Sequence, residues 1–152
     1  MVNAINNYWT LALLVIPIIL YCISGALDAV MDTLKDHFSV SIFQNDNPYF
    51  WNPAISCKNK YIDNNPTLGH RKINILGISF NYPDALSDAK HIFKIAREGA
   101  NISAITTGSL IGLSLSIQSI YITPIILLGY IAVLATLRNM VFSFFYDKIL
   151  VS

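Results

Sequence analysis

The sequence predicts an all-α membrane protein: three transmembrane helices, with a cytoplasmic loop and helix cap between spans one and two. Three observations predict it. A stretch without charge runs from Trp9 to Leu27. Apolar density falls after Leu34 and returns near Ala100 in two further apolar segments. The basic residues all fall on one side of such a three-span path. Composition agrees: 54% of residues are hydrophobic and only 12% are charged, about half the charged share usual for a soluble domain.

Span one is placed at residues 9–27. At ~1.5 Å per residue, a helix of that length crosses the ~30 Å hydrocarbon core. The leader MVNAINNY contains no Lys or Arg, and the apolar core exceeds a signal-peptide h-region. A retained span is therefore expected, although Ser24-Gly25-Ala26 is small enough for a peptidase. Span two is placed at residues 100–118. It is uncharged but carries Ser103, Thr106, Thr107, Ser109, Ser114 and Ser116. Gly108 and Gly112, four apart, predict close approach to a neighbouring helix, and the hydroxyls can bond back to the helix or across it. Span three is placed at residues 120–138, after a turn from Gln118 to Pro124. The aromatic-rich stretch Val141 to Val151 either extends span three or lies at the interface as an anchor. All 152 residues thus form a single integral membrane domain, with a cytoplasmic segment 28–99.

Orientation follows from the cations. Lys35, Lys58, Lys60, Arg71, Lys72, Lys90, Lys94 and Arg97 lie between spans one and two, and Arg138 and Lys148 follow span three. The positive-inside rule puts that side in the cytoplasm and the N-terminus outside, with a bacterial inner membrane as the expected location.

Two textures are expected in the cap. Asp28 to Phe43 continues span one as a helix, whereas Asn45 to Gly77, rich in Asn, Pro and Gly, reads as ordered turns without regular elements. Pro83-Asp84 then opens a helix to Glu98 that runs into span two.

Two polar clusters stand out. Asp28, Asp32 and Asp36 are spaced by four on one helical face, followed by His37. Asp84, Asp88 and His91, spaced by four and three, are expected on one face of the second helix. Carboxylates with imidazoles suit a divalent metal such as Zn, Mn or Mg, so Asp28, Asp32, His37, Asp84, Asp88 and His91 are the candidate ligands. A bound metal would supply a nucleophilic water against an ester or phosphate at headgroup level, with Asp32, His37, Asp88 and His91 as the catalytic set. Lys58, Lys60, Arg71 and Arg138 are candidate oxyanion donors. The competing reading is a structural network of the same acids with Lys35, Lys90 and Lys94.

Asn47-Pro48-Tyr49-Phe50-Trp51-Asn52-Pro53 reads as an interfacial aromatic anchor. The dense amides Asn59, Asn64 and Asn65 are expected to tie down loop backbone. Cys22 and Cys57 are expected to be unpaired. Net charge is only +1 and no basic stripe exists, which leaves no nucleic-acid partner. No G-x-S-x-G elbow, phosphate-binding loop, dinucleotide fingerprint or c-haem motif occurs. Transport is poorly supported because the ionisable groups sit at the span edges.

The segments Ser24-Gly25-x-x-Asp28-Ala-Val-Met-Asp32-Thr-Leu-Lys-Asp-His37-Phe38, Ser41-Ile42-Phe43, Asn47-Pro-x-Phe-Trp51-Asn52-Pro53, Lys58-Asn59-Lys60-Tyr61, Asp88-Ala-x-His91-x-Phe93-Lys94 and Phe145-Tyr146-Asp-Lys148-Ile-Leu150 resemble a family of small integral membrane proteins from bacteria and phage. The family has no assigned activity, and this chain departs from it at Cys57 and Lys90, where Trp is usual. The resemblance implies the membrane fold and draws attention to Asp32, His37, Asp88 and His91.

The expected function is a polar, metal-binding Asp/His site at the inner interface, acting hydrolase-like on a membrane lipid headgroup or similar amphiphile. The alternative is a non-catalytic small subunit or assembly factor, whose partner is a membrane protein or a second copy of the chain.

Overall fold

A 35-residue helix, α1 (Val2–Asp36), opens the chain. The structure is a computed structural model that describes residues 2–116 and 123–151. Pro17 sits inside α1, where it removes one backbone donor without ending the helix. Further on come α2 (Pro48–Trp51), α3 (Pro53–Ser56), β1 (Lys72–Ile75), β2 (Ile78–Asn81), α4 (Ala89–Ser116) and α5 (Thr123–Phe145). A single π-helical turn, Tyr146–Leu150, extends α5. Among the described residues, two stretches are long and apolar enough to cross a membrane: Leu14–Asp36 and Pro124–Leu150. The fold is mostly helical and also contains a small antiparallel sheet, which the sequence reading lacked. The expected turn at Gln118 to Pro124 falls largely outside the described residues.

The chain divides into two compact units. The first is Met1–Leu27 with Ala96–Phe144. Here Ser24 Oγ donates to Asn101 Oδ1 at 2.7 Å, tying α1 to α4, and Tyr130 Oη donates to the Leu14 carbonyl at 2.8 Å, tying α5 to α1. A Cβ on Gly25 would overlap the Arg138 carbonyl oxygen, so α1 and α5 meet backbone to backbone at that point. The expected close-approach residue, Gly108, instead faces open space, with nothing within 4 Å of where a Cβ would be. Glycine spacing marks where a helix is thin, not which of its faces meets a neighbour. The hydroxyls of Thr106, Thr107 and Ser109 bond back to carbonyls four residues earlier.

The second unit is Asp28–Ile95 with Phe145–Ser152. The end of α1, through Thr33 and Leu34, is fully buried in it. The helix stops at Asp36, sooner than expected, and a 3-10 turn, Phe38–Val40, follows. Ser41 closes that turn by donating to the Phe38 carbonyl at 2.9 Å. Its neighbour Ile42 takes the Leu150 carbonyl through its N–H, which fastens the C-terminal turn to this loop.

The segment expected to lack regular elements holds several short ones, and Asn-Pro pairs build most of them. Asn47 caps α2 by accepting from Tyr49 N, Asn52 caps α3 by accepting from Ala54 N, and Asn65 caps the 3-10 turn Pro66–Leu68 through Thr67 N. In each pair the amide oxygen takes an orphan N–H while Pro, which has no N–H to orphan, fills the first helical position. Asn59 bridges further, donating to the carbonyls of Tyr49 at 2.5 Å and Ser87 at 3.0 Å.

Trp51 stacks on Phe43 with centroids 4.6 Å apart and receives the edge of Phe50 at 5.3 Å. Phe93 of α4 lies 6.1 Å away. Phe50 and Trp51 therefore serve as the unit's own aromatic core instead of the anchor expected, and Tyr49 alone of the three is exposed. Strands β1 and β2 form a hairpin across Leu76-Gly77, pairing Ile73 with Phe80 and Ile75 with Ile78. Both turn residues have positive φ, the geometry that joins twisted strands through two residues. Cys22 and Cys57 are unpaired.

Candidate functional site

The helix expected from Asp84 starts five residues later, at Ala89, and this regroups the second cluster. Asp84 lies in a 3-10 turn, Asp84–Leu86. Ser87 Oγ donates to the Asp84 carbonyl at 2.6 Å and holds that turn apart from the helix. Asp88 is then the residue before α4, and its Oδ1 accepts from His91 N at 2.8 Å. That bond is an N-cap, reaching the third residue of the helix. Asp84 therefore does not share a helical face with Asp88 and His91, because a strong capping residue outcompetes the earlier Pro-Asp start.

His91 completes the pair. Its Nδ1 lies 2.9 Å from both Asp88 oxygens. A carboxylate only accepts, so Nδ1 carries a proton and Nε2 is the ring nitrogen left outside this pair. Asp88 is 1% exposed and the His91 side chain 34%. A buried acid that orients a partly accessible imidazole can support a general base or supply one ligand nitrogen. In this fold it also supplies the helix cap.

The other candidates are placed as follows. Asp32 is exposed. Asp36 pairs with Lys35 at 3.3 Å. The His37 ring meets the Tyr146 ring edge-on at 5.6 Å. Asp28 is half-buried on α1. Asp84 receives Lys60 Nζ at 3.1 Å, and this hydrogen bond raises the Lys60 pKa above 10.5. Among the described residues, no three His, Cys, Asp or Glu side chains come together as a metal-holding group. A zinc centre takes three or four protein ligands, and both Asp88 oxygens already accept from His91 and Ser87. Among the described residues the donor set at Asp88 is a pair with His91.

Sequence reasoning missed Ser87 and the Lys60–Asp84 link, whereas Asn59 ties down loop backbone as expected. The available signal was Ser87-Asp88-Ala-Lys-His91: a capping residue with a polar partner three positions on.

A second polar feature lies at the base of the hairpin. Tyr61, Ile62, Asp63, Asn64, Arg71 and Lys72 line an open cleft of about 450 Å³. Asp63 and Asn64 both take left-handed backbone, with φ of 50° and 57°. The Tyr61 and His70 rings meet at 4.9 Å, and Arg71 lies 5.6 Å from the centre of the Tyr82 ring.

No family model, curated protein or solved structure matches the chain.

Proposed function

We propose that the chain is a multi-pass protein of a bacterial inner membrane that acts as a non-catalytic small subunit or assembly factor of a membrane complex. The observation that carries this reading is how the acids and imidazoles of the cap are used. Asp88 and His91 start α4, Asp84 holds Lys60, Asp36 pairs with Lys35, and His37 packs on Tyr146. Each is taken up by the cap's own construction, and no donor trio forms among the described residues. The cap meanwhile exposes large apolar side chains, among them Tyr49, Leu68, Leu76 and Leu86. Exposed apolar side chains on a folded unit are what a docking surface or a lipid contact draws on.

In this reading α4 supplies a third span between Leu14–Asp36 and Pro124–Leu150. The N-terminus is outside and the cap cytoplasmic, supported by the one-sided distribution of the ten basic residues. The full chain purified in mild detergent tests the role. A stoichiometric membrane-protein partner, or a defined homo-oligomer, supports it. A stoichiometric metal that disappears on Asp88→Asn or His91→Ala substitution rejects it in favour of an enzyme.

One observation favours a second reading, a hydrolase acting on phospholipid headgroups: His91 is oriented by a buried carboxylate. In that case Nε2 would take a proton from water attacking a phosphoester, and the Asp88 carboxylate would stabilise the imidazolium. Headgroup release from phospholipid proteoliposomes, abolished by His91→Gln, would establish it. Absence of release leaves the docking reading in place.

A further inference from the structure

The β1–β2 hairpin is an amphipathic ribbon whose apolar side is largely exposed among the described residues, with only Ile73 half-buried. Ile73, Ile75, Ile78 and Phe80 form two facing cross-strand pairs, so they share one face, and Lys72, Asn74, Ser79 and Asn81 share the other. Ile75 is 53% exposed, Ile78 60% and Phe80 47%. At the tip Leu76 is 98% exposed. It also sits at φ 51°, a left-handed conformation that costs a leucine roughly 1–2 kcal/mol. Asn or Gly would form this turn without that strain. A bulky apolar residue held strained and wholly bare at a turn gains nothing within the chain. A two-stranded ribbon is also marginal in water unless its apolar face is covered.

We infer that this hairpin inserts its apolar face and Leu76 tip into the interfacial layer of a phospholipid bilayer, with Arg71 and Lys72 at its base meeting lipid phosphates. The occupant is argued from what surrounds the ribbon. The same chain carries two helices long and apolar enough to cross a membrane, so a bilayer stays within reach of the cap at high effective concentration. Arg71 and Lys72 both line the cleft at the ribbon's base, where cations complement headgroup phosphates. Asp63 lines the same cleft, which suits a lipid surface of mixed charge better than a free, multiply charged anion. The inference rests on the membrane reading and adds to it a contact outside the spans.

The test is depth measurement on the full chain in nanodiscs of phosphatidylethanolamine and phosphatidylglycerol. In a Cys22→Ser, Cys57→Ser background, nitroxides are attached singly at Leu76→Cys, Asp46→Cys and Val133→Cys. Collisions with oxygen and with a water-soluble nickel chelate are then compared. The expected result is a severalfold higher oxygen-to-nickel ratio at 76 than at 46, approaching that at 133. A polar tip, Leu76→Asp, should abolish the oxygen preference of a label at Phe80→Cys, and near-native thermal unfolding shows that this variant is folded. Nickel access at 76 equal to that at 46, with 133 protected, overturns the inference alone. Nickel access at both 76 and 133 overturns the membrane reading and the inference with it. Protection of 76 from both reagents means a protein covers the hairpin and also overturns it.

Discussion

Asp88 illustrates how one side chain can serve two readings, and substitutions separate them. Asp88→Ala removes the cap of α4 and leaves the His91 ring proton without its acceptor. The loss should be about 2 kcal/mol, combining a lost cap with a half-buried orphan donor. For a chain of this size that lowers the melting temperature by ~4–8 °C. Asp88→Asn keeps an N-cap acceptor and should cost less than ~1 kcal/mol. Thermal unfolding in detergent checks the order, and equal losses for the two variants would contradict a capping role. Lys60 gives a pH test. Its pKa is raised in the fold by the Asp84 hydrogen bond, so the stabilisation is fully present below the unfolded pKa and disappears as pH rises through the higher folded value. Asp84 is half exposed, which limits the pair to about 0.5 kcal/mol. The gap between wild type and Lys60→Met should therefore stay constant from neutral pH to about pH 9 and close only beyond 10.5.

Among the elements, the helices were legible and their junctions were not. Apolar runs without charge located α1 and α5 because burial in lipid or protein demands such runs over ~20 residues. The start of α4 was misplaced because Pro83-Asp84 and Ser87-Asp88 both carry start signals. Only the three-dimensional competition for backbone donors decides between them. The hairpin was missed because Leu76-Gly77 is a poor type I′ turn by composition. The alternation of Ile73, Ile75, Ile78 and Phe80 was nonetheless present to be read. The acids of the second cluster were found, but the split of Asp84 from Asp88 and His91 was not, since spacing along a helix says nothing about where that helix begins. Gly25 and Gly108 make the same point about contacts. Gly25→Ala should destabilise by roughly 1–3 kcal/mol, because the added methyl meets the Arg138 backbone and not a movable side chain. Gly108→Ala should leave the melting temperature unchanged or slightly raised, since its surroundings are open and alanine favours helix. The reverse order in thermal scans would contradict the α1–α5 contact.

For the whole molecule, the arrangement of charge yields a direct test of topology. In a cysteine-free background, a single cysteine at position 60 should resist membrane-impermeant maleimide in intact cells, and one at position 3 should react. Labelling at 60 from outside would reverse the proposed orientation.

If α4 is the proposed third span, its hydroxyls weigh less against insertion than their number suggests. Thr106, Thr107 and Ser109 each donate to a carbonyl of their own helix at 2.8–2.9 Å. A hydroxyl already bonded in this way brings no unsatisfied donor into hydrocarbon, where an unpaired one costs roughly 1–3 kcal/mol. In such a span the lipid would meet mainly the methyl groups and carbon stems of these three residues. In a translocon insertion assay, Thr106→Val with Thr107→Val should therefore improve insertion of this segment only slightly. A charged residue at either position should abolish it. Counted by the groups still wanting a partner, the stretch from Thr106 to Ser109 is more apolar than its sequence suggests.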